Sequence, residues 1–586
     1  MYIAVIQNNP YVGALKGNMC KALESIDALA ASAYPPDLVV FGAYALTGCP
    51  LAGLQFSDSF AFESLEVARM FMEKASLPTL VGTILPRPIP QEMTFICEAE
   101  VLFCKGEESN VLGFVDYSDN WEDDRYASSI TTMIDGHVVS VLLDDYPDAQ
   151  DDFSDSEIVV MMLAKEYRGT NTMFTASERL GYLRGFAQKN DVWVVVANMV
   201  GAQDTSVFDG ASLVLRPDGS VVDAVEPFVE GVITCNLDLS KPKGDPAAQK
   251  GAIAGAGEHI IKPLLPYEAD WKAMELFIRD YVHKNGFEDV VLGLSGGLDC
   301  AVVAALACDA LGPGHVHGVM MPGPFSSKGS VDDSLALAAN LGIETLRMPI
   351  DEPFKVFRDA LMEVRGTEGS QLALQNIQPR IRMAYLMQLC NTYGWLLLNT
   401  SNKSEAAMGY STLYGDAAGA ISPLGNIYKT DVYGLARWRN QRRRIIPQAI
   451  LDKAPSAELY EGQTDEDSLP AYAVLDRVLK LHIEEGLGVD QILAYTAQDP
   501  DEEGLDSQTV EGILAAVRAA EHKRRQAPPA PTLGYIDMNM DRDWPMTNGF
   551  VDTHRHSGIL LSAQLSASMD LLDNWGKPQG WDFLAN

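Results

Sequence analysis

The run Gly293-Leu294-Ser295-Gly296-Gly297-Leu298-Asp299-Cys300 decides the fold of the second half of this chain, because packing gives no reason for so many small residues in one place. Val290-Val291-Leu292 ahead of it reads as a short buried strand, and Ala301 to Leu311 behind it reads as an apolar helix stopped by Gly312-Pro313-Gly314. A strand, a small-residue loop and a helix N-terminus in that order aim backbone N–H groups at an anion, and the helix dipole adds to the attraction. The predicted ligand is a pyrophosphate. No Lys-Ser or Lys-Thr follows the glycines, so the loop is not a Walker A sequence and kinase or GTPase chemistry is disfavoured.

Outward from the loop the second half alternates helix and strand. A helix is predicted over Trp271 to Asn285, a strand over His317 to Met321, a helix over Val331 to Leu341, a strand over Thr345 to Ile350, a helix through Arg380 to Tyr393 and a strand over Trp395 to Leu398. Such βα repeats build an α/β fold, a doubly wound parallel sheet with ligands at the carboxyl ends of its strands. The first half also alternates, with strands expected at Ile3 to Ile6, Leu38 to Phe41, Thr79 to Ile84, Val138 to Leu143, Ile158 to Met162, Val192 to Ala197 and Ala211 to Leu215, and a helix through Met19 to Ala31. Between the halves, Lys241, Pro242, Gly244, Pro246, Gly251, Gly255 and Gly257 break all periodicity. The expected organisation is therefore a domain over 1–245, a linker over 246–268, a domain over 269–550 and a tail over 551–586 in which His554, His556, Trp575 and Trp581 carry no readable role.

At 586 residues, 47% hydrophobic and 21% charged, the chain is globular and long enough for several domains. Its net charge of −36 argues against a nucleic-acid footprint, because phosphate backbones would be repelled over most of the surface. Eight cysteines without a CxxC pair argue against a zinc ribbon or a disulfide framework. No apolar run is long enough to span a bilayer, and Met1-Tyr2-Ile3-Ala4-Val5-Ile6 reads as a strand and not as a targeting peptide, so a cytoplasmic protein is expected.

The loop resembles the SGGxDS loop of ATP pyrophosphatases, and further segments follow in order. They are Asn376-Ile377-Gln378-Pro379-Arg380-Ile381-Arg382-Met383, Asn399-Thr400-Ser401-Asn402-Lys403-Ser404-Glu405, Gly409-Tyr410-Ser411-Thr412-Leu413-Tyr414-Gly415-Asp416, Tyr428-Lys429-Thr430-Asp431, Gly462-Gln463-Thr464-Asp465-Glu466-Asp467 and Lys523-Arg524-Arg525-Gln526-Ala527-Pro528. Together they resemble the glutamine-dependent NAD synthetases, over essentially the whole second half. The resemblance implies an adenine nucleotide alpha hydrolase-like domain that uses ATP and Mg²⁺. Gly293, Ser295, Gly296, Gly297, Asp299 and Cys300, with Arg380, Arg382 and Thr400, would then bind ATP. Asp299 and Glu405 would hold Mg²⁺, and Lys403, Tyr410, Asp416 and Lys429 would bind deamido-NAD, with Lys403, Lys429 and Asp299 taking part in the chemistry. Each has a plainer alternative: Lys403 and Glu405 as a solvated loop pair, Asp416 as a turn residue, Arg380 as an exposed helix charge. Cys300 departs from the family's serine, and a thiol is the weaker donor, so weaker ATP binding is expected.

The first half resembles the nitrilase-like amidase domain of that family, an αββα sandwich whose chemistry needs a Glu base, a Lys and a Cys nucleophile. None stands where the motifs require it. Phe41-Gly42-Ala43-Tyr44 puts Ala43 in the base position, Val141-Leu142-Leu143-Asp144-Asp145 puts Leu143 in the nucleophile position, and no Lys occurs between Lys105 and Lys165, although one is expected just before Trp121 to Tyr126. No cysteine occurs between Cys104 and Cys235 either. Cys49 and Cys104 read as structural thiols.

The expected activity is therefore NAD synthesis from deamido-NAD, ATP and ammonia, with a degenerate glutaminase, ammonia from solution or a separate amidase, and a homo-oligomer, an octamer by resemblance. Adenylation of a different carboxylate, and a nucleotide-binding regulatory or assembly subunit without turnover, stay open as rivals.

Overall fold

In the strand Tyr2–Gln7 the side chains of Ile3 and Val5 point to one face and those of Ala4 and Ile6 to the other, and all four are buried. A sheet buried on both faces needs two covering layers. Ile3 and Val5 pack with Val139, Val141, Val160 and Val195 of a second sheet, while Ala4 and Ile6 pack under Met19, Ile26, Val67 and Phe71 of the helices Leu15–Ala30 and Asp58–Lys74. On the outer face of the second sheet, Val159, Met161 and Val194 meet Leu183 and Phe186 of the helix Ala176–Asn190. The first unit is thus a four-layer α-β-β-α sandwich.

The computed structural model describes residues 1–88, 95–104, 110–114, 129–143, 153–169, 176–240, 264–497, 505–534, 536, 541, 542 and 544–549. The position just before Trp121 to Tyr126 where a lysine is expected, most of the expected linker and the tail 551–586 lie outside these residues. The first sheet runs, in spatial order, Gly231–Asn236, Tyr2–Gln7, Leu38–Val40, Thr79–Pro88, Phe95–Cys104, Asn110–Phe114. The second runs Val221–Ala224, Leu213–Leu215, Trp193–Asn198, Ile158–Leu163, His137–Leu142, Ser129–Ile134. Among the described residues no helix is long and apolar enough to cross a membrane.

The second unit is built on four parallel strands in the order Glu344–Arg347, Val316–Met320, Val290–Gly293, Leu396–Leu397. Val290–Gly293 comes first along the chain yet lies inside the sheet, so the winding reverses beside it, and a crevice opens at its carboxyl end. That end is where residues 294–297 run into the helix Leu298–Leu311.

Helix starts are where the structure departs most from the sequence expectations. The helix predicted from Trp271 begins at Pro266, inside the expected linker, because proline at the first turn forfeits an N–H that is unpaired there in any case. The helix predicted from Arg380 begins at Gln371, where Ser370 accepts the Ala373 N–H at 3.2 Å, and it runs through Pro379 to Tyr393. The helices Asp58–Lys74 and Asp351–Arg365 and the hairpin Val200–Gln203/Ser206–Asp209 were not singled out in sequence.

Helix Pro266–Lys284 ties the units together. Its Trp271, Met274 and Phe277 share one core with Val200, Ala202 and Val207 of the hairpin and with Val302 and Leu306 of the helix Leu298–Leu311. At its far end Asp280 Oδ2 accepts from Asn9 Nδ2 at 2.7 Å and from the Ala202 N–H at 2.8 Å, and Lys284 Nζ donates to Asn9 Oδ1 at 2.7 Å and to the Ala202 carbonyl at 2.9 Å.

Candidate active site

Gly296 sits at φ +75°, and a Cβ there would lie 2.4 Å from the Ser330 carbonyl oxygen, so only glycine lets the loop pass this close to the neighbouring helix. The turn is clasped by short-range bonds. Ser295 Oγ accepts the Gly297 N–H at 3.2 Å, and the Cys300 thiol donates to the Gly297 carbonyl at 3.2 Å while its sulfur takes the Ser295 N–H at 3.4 Å. Cys300 is buried, with its sulfur turned into the loop backbone.

A cavity of about 290 Å³ opens over this loop. Of the residues predicted for ATP, Gly293, Ser295, Gly297, Asp299, Cys300, Arg382 and Thr400 line it; of those predicted for metal or deamido-NAD, Glu405, Tyr410, Asp416 and Lys429 do. Gly296, Arg380 and Lys403 do not line it.

At its centre Lys429 Nζ donates to Asp299 Oδ2 and lies 3.6 Å from Glu405 Oε1, in a side chain only 4% exposed. Asp299 Oδ1 accepts from Asn402 Nδ2 at 3.0 Å. Asn402 also caps the helix Lys403–Met408 by accepting the Glu405 N–H at 3.0 Å, which fixes Glu405 toward Asp299. Lys429 heads the helix Lys429–Arg442, whose free N–H groups at Lys429 and Thr430 bond Ser404 Oγ and Asp476 Oδ2 at 2.9 and 2.8 Å.

Burial lifts the Glu405 carboxyl to about 8, with Lys429 opposing and Asp299, Asp465 and Asp416 reinforcing. Burial pulls the Lys429 ammonium down, but Asp299 and Glu405 outweigh it and its pKa rises. Asp416 is raised by burial despite accepting the Thr412 N–H at 2.6 Å.

Lys403 is elsewhere than expected. It is 1% exposed, pairs with Glu484, donates to the Ile536 carbonyl at 2.9 Å and lies 4.9 Å from the centre of the Tyr428 ring. Lys403 and Glu405 stand two positions apart on a helix, about 200° around it, so they face opposite sides. Arg380 and Arg382 divide the same way: Arg380 is exposed on the Leu413 carbonyl at 3.1 Å, whereas Arg382 lines the cavity and donates to the Met321 carbonyl at 3.1 Å.

Three cavity residues were missed in sequence as site residues. Lys453 Nζ reaches Ser330 Oγ and, at 3.1 Å, Glu458 Oε1, beside the phosphate loop. Glu458 also accepts from Ser327 and Ser330 at the start of the helix Lys328–Leu341. Asp465 is 5% exposed and accepts from Tyr472 at 2.9 Å, while its Oδ1 is buried without a hydrogen-bond partner. Irregular chain from 453 to 464 brings in Lys453 and Glu458, and a single 3-10 turn at Asp465–Asp467 brings in Asp465, so no helical or strand period marked them.

In the first unit Ala43 is 2% exposed, its N–H on the Leu163 carbonyl at 3.3 Å, and its own carbonyl is so close to Gly82 that a Cβ there would fall 1.7 Å away. Leu143 packs against the core between the two sheets. Burial pushes the thiols of Cys49, Cys104 and Cys235 up to about 12, which leaves them as inert thiols at neutral pH.

Over 588 aligned residues the chain is 34% identical to the glutamine-dependent NAD(+) synthetase of Thermotoga maritima, an overlap of 94% of this chain and 98% of the relative. The chain belongs to the glutamine-dependent NAD synthetase family. Residues 270–527 match the NAD synthase family, so the second unit is the synthetase domain of this ATP-dependent amide-forming ligase. The relative from Aquifex aeolicus is 34% identical over 94% of this chain and 99% of its own length. Among solved structures, glutamine-dependent NAD+ synthetase from Acinetobacter baumannii in complex with ADP superposes with a TM-score of 0.66 at 26% identity, covering 94% of this synthetase and 99% of that chain. The enzyme from Cytophaga hutchinsonii has the same fold, with a TM-score of 0.75 at 18% identity over 94% and 97%.

Proposed function

We propose that this synthetase forms NAD from deamido-NAD, ATP and free ammonia, and that its first unit hydrolyses no glutamine. The observation that carries the first part is the convergence of Asp299, Glu405 and Lys429 over a phosphate loop at the switch point of the sheet. The second part rests on Ala43 and Leu143, two hydrocarbon side chains where a base and a nucleophile are required, and on described thiols that burial keeps protonated.

The nicotinate carboxylate attacks the α-phosphorus of ATP, the new P–O bond forming as the bond to the β-phosphate oxygen breaks and pyrophosphate leaves. The first turn of the helix Leu298–Leu311, whose N–H groups have no intrahelical partners, receives the phosphates, and Lys429, Lys453 and Arg382 offset their charge. Asp416 and Tyr410 border the deamido-NAD end. Ammonia then attacks the acyl carbon and AMP departs. Lys403, paired with Glu484 outside the cavity, has no part in these steps.

Magnesium suits the residues present. The orphaned Asp465 Oδ1 and the raised Glu405 carboxyl both mark an excess of negative charge that calls for a cation. Among the described residues no three His, Cys, Asp or Glu side chains form a ready cage, which fits an ion that takes one or two carboxylates and fills the rest with phosphate and water. Asp299 and Glu405 would hold it, and it would supply charge neutralisation on the phosphates. A homo-oligomer is supported by the apolar side of the helix Asp351–Arg365, where Val356, Phe357 and Val364 are 65%, 55% and 77% exposed.

The test is to supply purified protein with ATP, Mg²⁺ and deamido-NAD plus either ammonium or glutamine and to quantify NAD by mass spectrometry. NAD with ammonium alone is the expected result. NAD with glutamine would place a working glutaminase in the first unit, and none under either condition would point to a different acid or to a regulatory subunit.

A further inference from the structure

A second, smaller cavity of about 30 Å³ lies where the loop Asn399 to Asn402 meets Lys523, Arg524, Ala527 and Pro528. Among the described residues two cations line it and no carboxylate does, in a chain whose net charge is −36. Neutral groups of the lining satisfy one another. Both amide protons of Asn399 go to the Asp416 and Ala418 carbonyls, at 2.8 and 3.0 Å, and the Ser422 hydroxyl goes to Asn399 Oδ1 at 2.9 Å. What stays unmatched is positive charge.

The Lys523 ammonium carries three protons and gives two of them to the Gly409 and Ser411 carbonyls, at 2.7 and 2.8 Å. Among the described residues no carboxylate pairs with it. Arg524 is 4% exposed, and its Nε is buried without a hydrogen-bond partner. Its terminal nitrogens bond the Ala407 and Val517 carbonyls and Glu521, and Glu521 also accepts from Arg525 at 3.0 Å. One carboxylate thus serves two guanidinium groups. Burial holds both Lys523 and Arg524 below their ordinary pKa, as it does for cations short of counter-charge. A water molecule would accept these protons but leave the charge uncompensated.

We propose that this cavity binds one small monovalent anion, a chloride ion, held by the third Lys523 proton, the Arg524 Nε–H and the Ser411 hydroxyl, which has no partner of its own among the described residues. Space selects the size. A water-sized body needs roughly 10 to 15 Å³, so the cavity admits a halide and excludes a tetrahedral phosphate or sulfate. The bound ion ties Lys523 to Arg524 and so steadies the two carbonyls that Lys523 grips. Those carbonyls flank Tyr410, which lines the larger cavity. Binding here involves no turnover, so the site stands or falls apart from the reaction proposed above.

The test compares thermal unfolding of the full chain in sodium chloride and in sodium gluconate, an anion too large for the cavity, at equal ionic strength. Chloride should raise the Tm by about 2 to 4 °C, saturating as its concentration rises. Crystals soaked in sodium bromide should show an anomalous-scattering peak between Lys523 and Arg524. Lys523→Gln removes one cation, and Ala527→Leu fills the cavity from a half-buried position while leaving both cations in place; each should lose the chloride shift. Where Lys523→Gln does not fold, Ala527→Leu and the bromide peak decide. A missing bromide peak overturns the site. So does a chloride shift that the folded variants keep, because the ion then acts elsewhere, and so does a bromide peak without any chloride shift, which marks an adventitious ion only.

Discussion

Replacing Lys429 with Met removes the one cation placed between Asp299 and Glu405. Nζ donates to Asp299 and lies 3.6 Å from Glu405; at that separation an effective dielectric of about 20 gives roughly 4 to 5 kcal/mol for a fully ionised pair, before the cost of burying the ammonium and less to the extent that Glu405 holds its proton. Removing one member of a buried ion pair costs about 3 to 5 kcal/mol, because the partner charge is stranded. Glu405 relieves part of this by holding its proton, so Lys429→Met should destabilise the second unit by about 3 kcal/mol. At roughly 2 to 4 °C per kcal/mol that is a fall in Tm of about 6 to 12 °C. ATP–pyrophosphate exchange should fall by about 10² to 10³, the usual consequence of removing a group that meets developing charge. Mg²⁺ should raise the Tm of the variant by more than that of the wild type, since the stranded carboxylates attract it more strongly. Calorimetry with and without Mg²⁺, beside the exchange assay, reads all three. A variant of wild-type Tm whose exchange is within about threefold of wild type would refute the central role given to Lys429.

Because the folded chain holds the Glu405 proton more tightly than the unfolded chain, this group's contribution to stability is complete below the ordinary carboxylate range and is lost as pH rises through about 8. Glu405→Gln should flatten urea-denaturation stability over that window, and a wild-type profile equally flat would contradict the assignment. Mg²⁺ should bind more tightly across the same rise in pH, measured by isothermal titration, because the ion competes with that proton. Gly296→Ala should weaken ATP binding by about 5- to 150-fold, since φ +75° and the 2.4 Å approach to Ser330 together force the loop to move at about 1 to 3 kcal/mol; calorimetric binding like wild type would show the loop to be tolerant. Cys300→Ser should tighten ATP by about fivefold, the worth of one better hydrogen bond, and an unchanged affinity would mean that the thiol already serves as well as a hydroxyl.

The phosphate loop was legible in sequence because its chemistry is local: small residues, a buried strand before them and a helix after them lie within one stretch of chain. The strands of the first unit were legible as short apolar runs such as Ile3 to Ile6, buried on both faces, but their four-layer arrangement was implied only by the resemblance of the motifs around Ala43 and Leu143 to nitrilase-like amidases. Side-chain direction was not. Lys403 and Arg380 belong to the right motifs but point away from the cavity that Glu405 and Arg382 line, a distinction that depends on helical phase and on where each helix begins. Lys453 and Glu458 reach the cavity from irregular chain and Asp465 from a single 3-10 turn, which leaves no period to read. The inward turn of the Cys300 sulfur follows from the loop's closure on itself, visible only once Gly297 and Ser295 are placed.

The core shared across the helix Pro266–Lys284 separates two fates for the first unit. Substitutions such as Ala43 and Leu143 sit away from that helix and alter only the chemistry the sandwich can perform. Excising the sandwich would instead expose the side chains that back the helix Leu298–Leu311, and would leave Asp280 and Lys284 facing solvent without Asn9 and Ala202. The sandwich thus has a mechanical part that does not depend on any chemistry of its own, as the wall against which the helix behind the phosphate loop is braced.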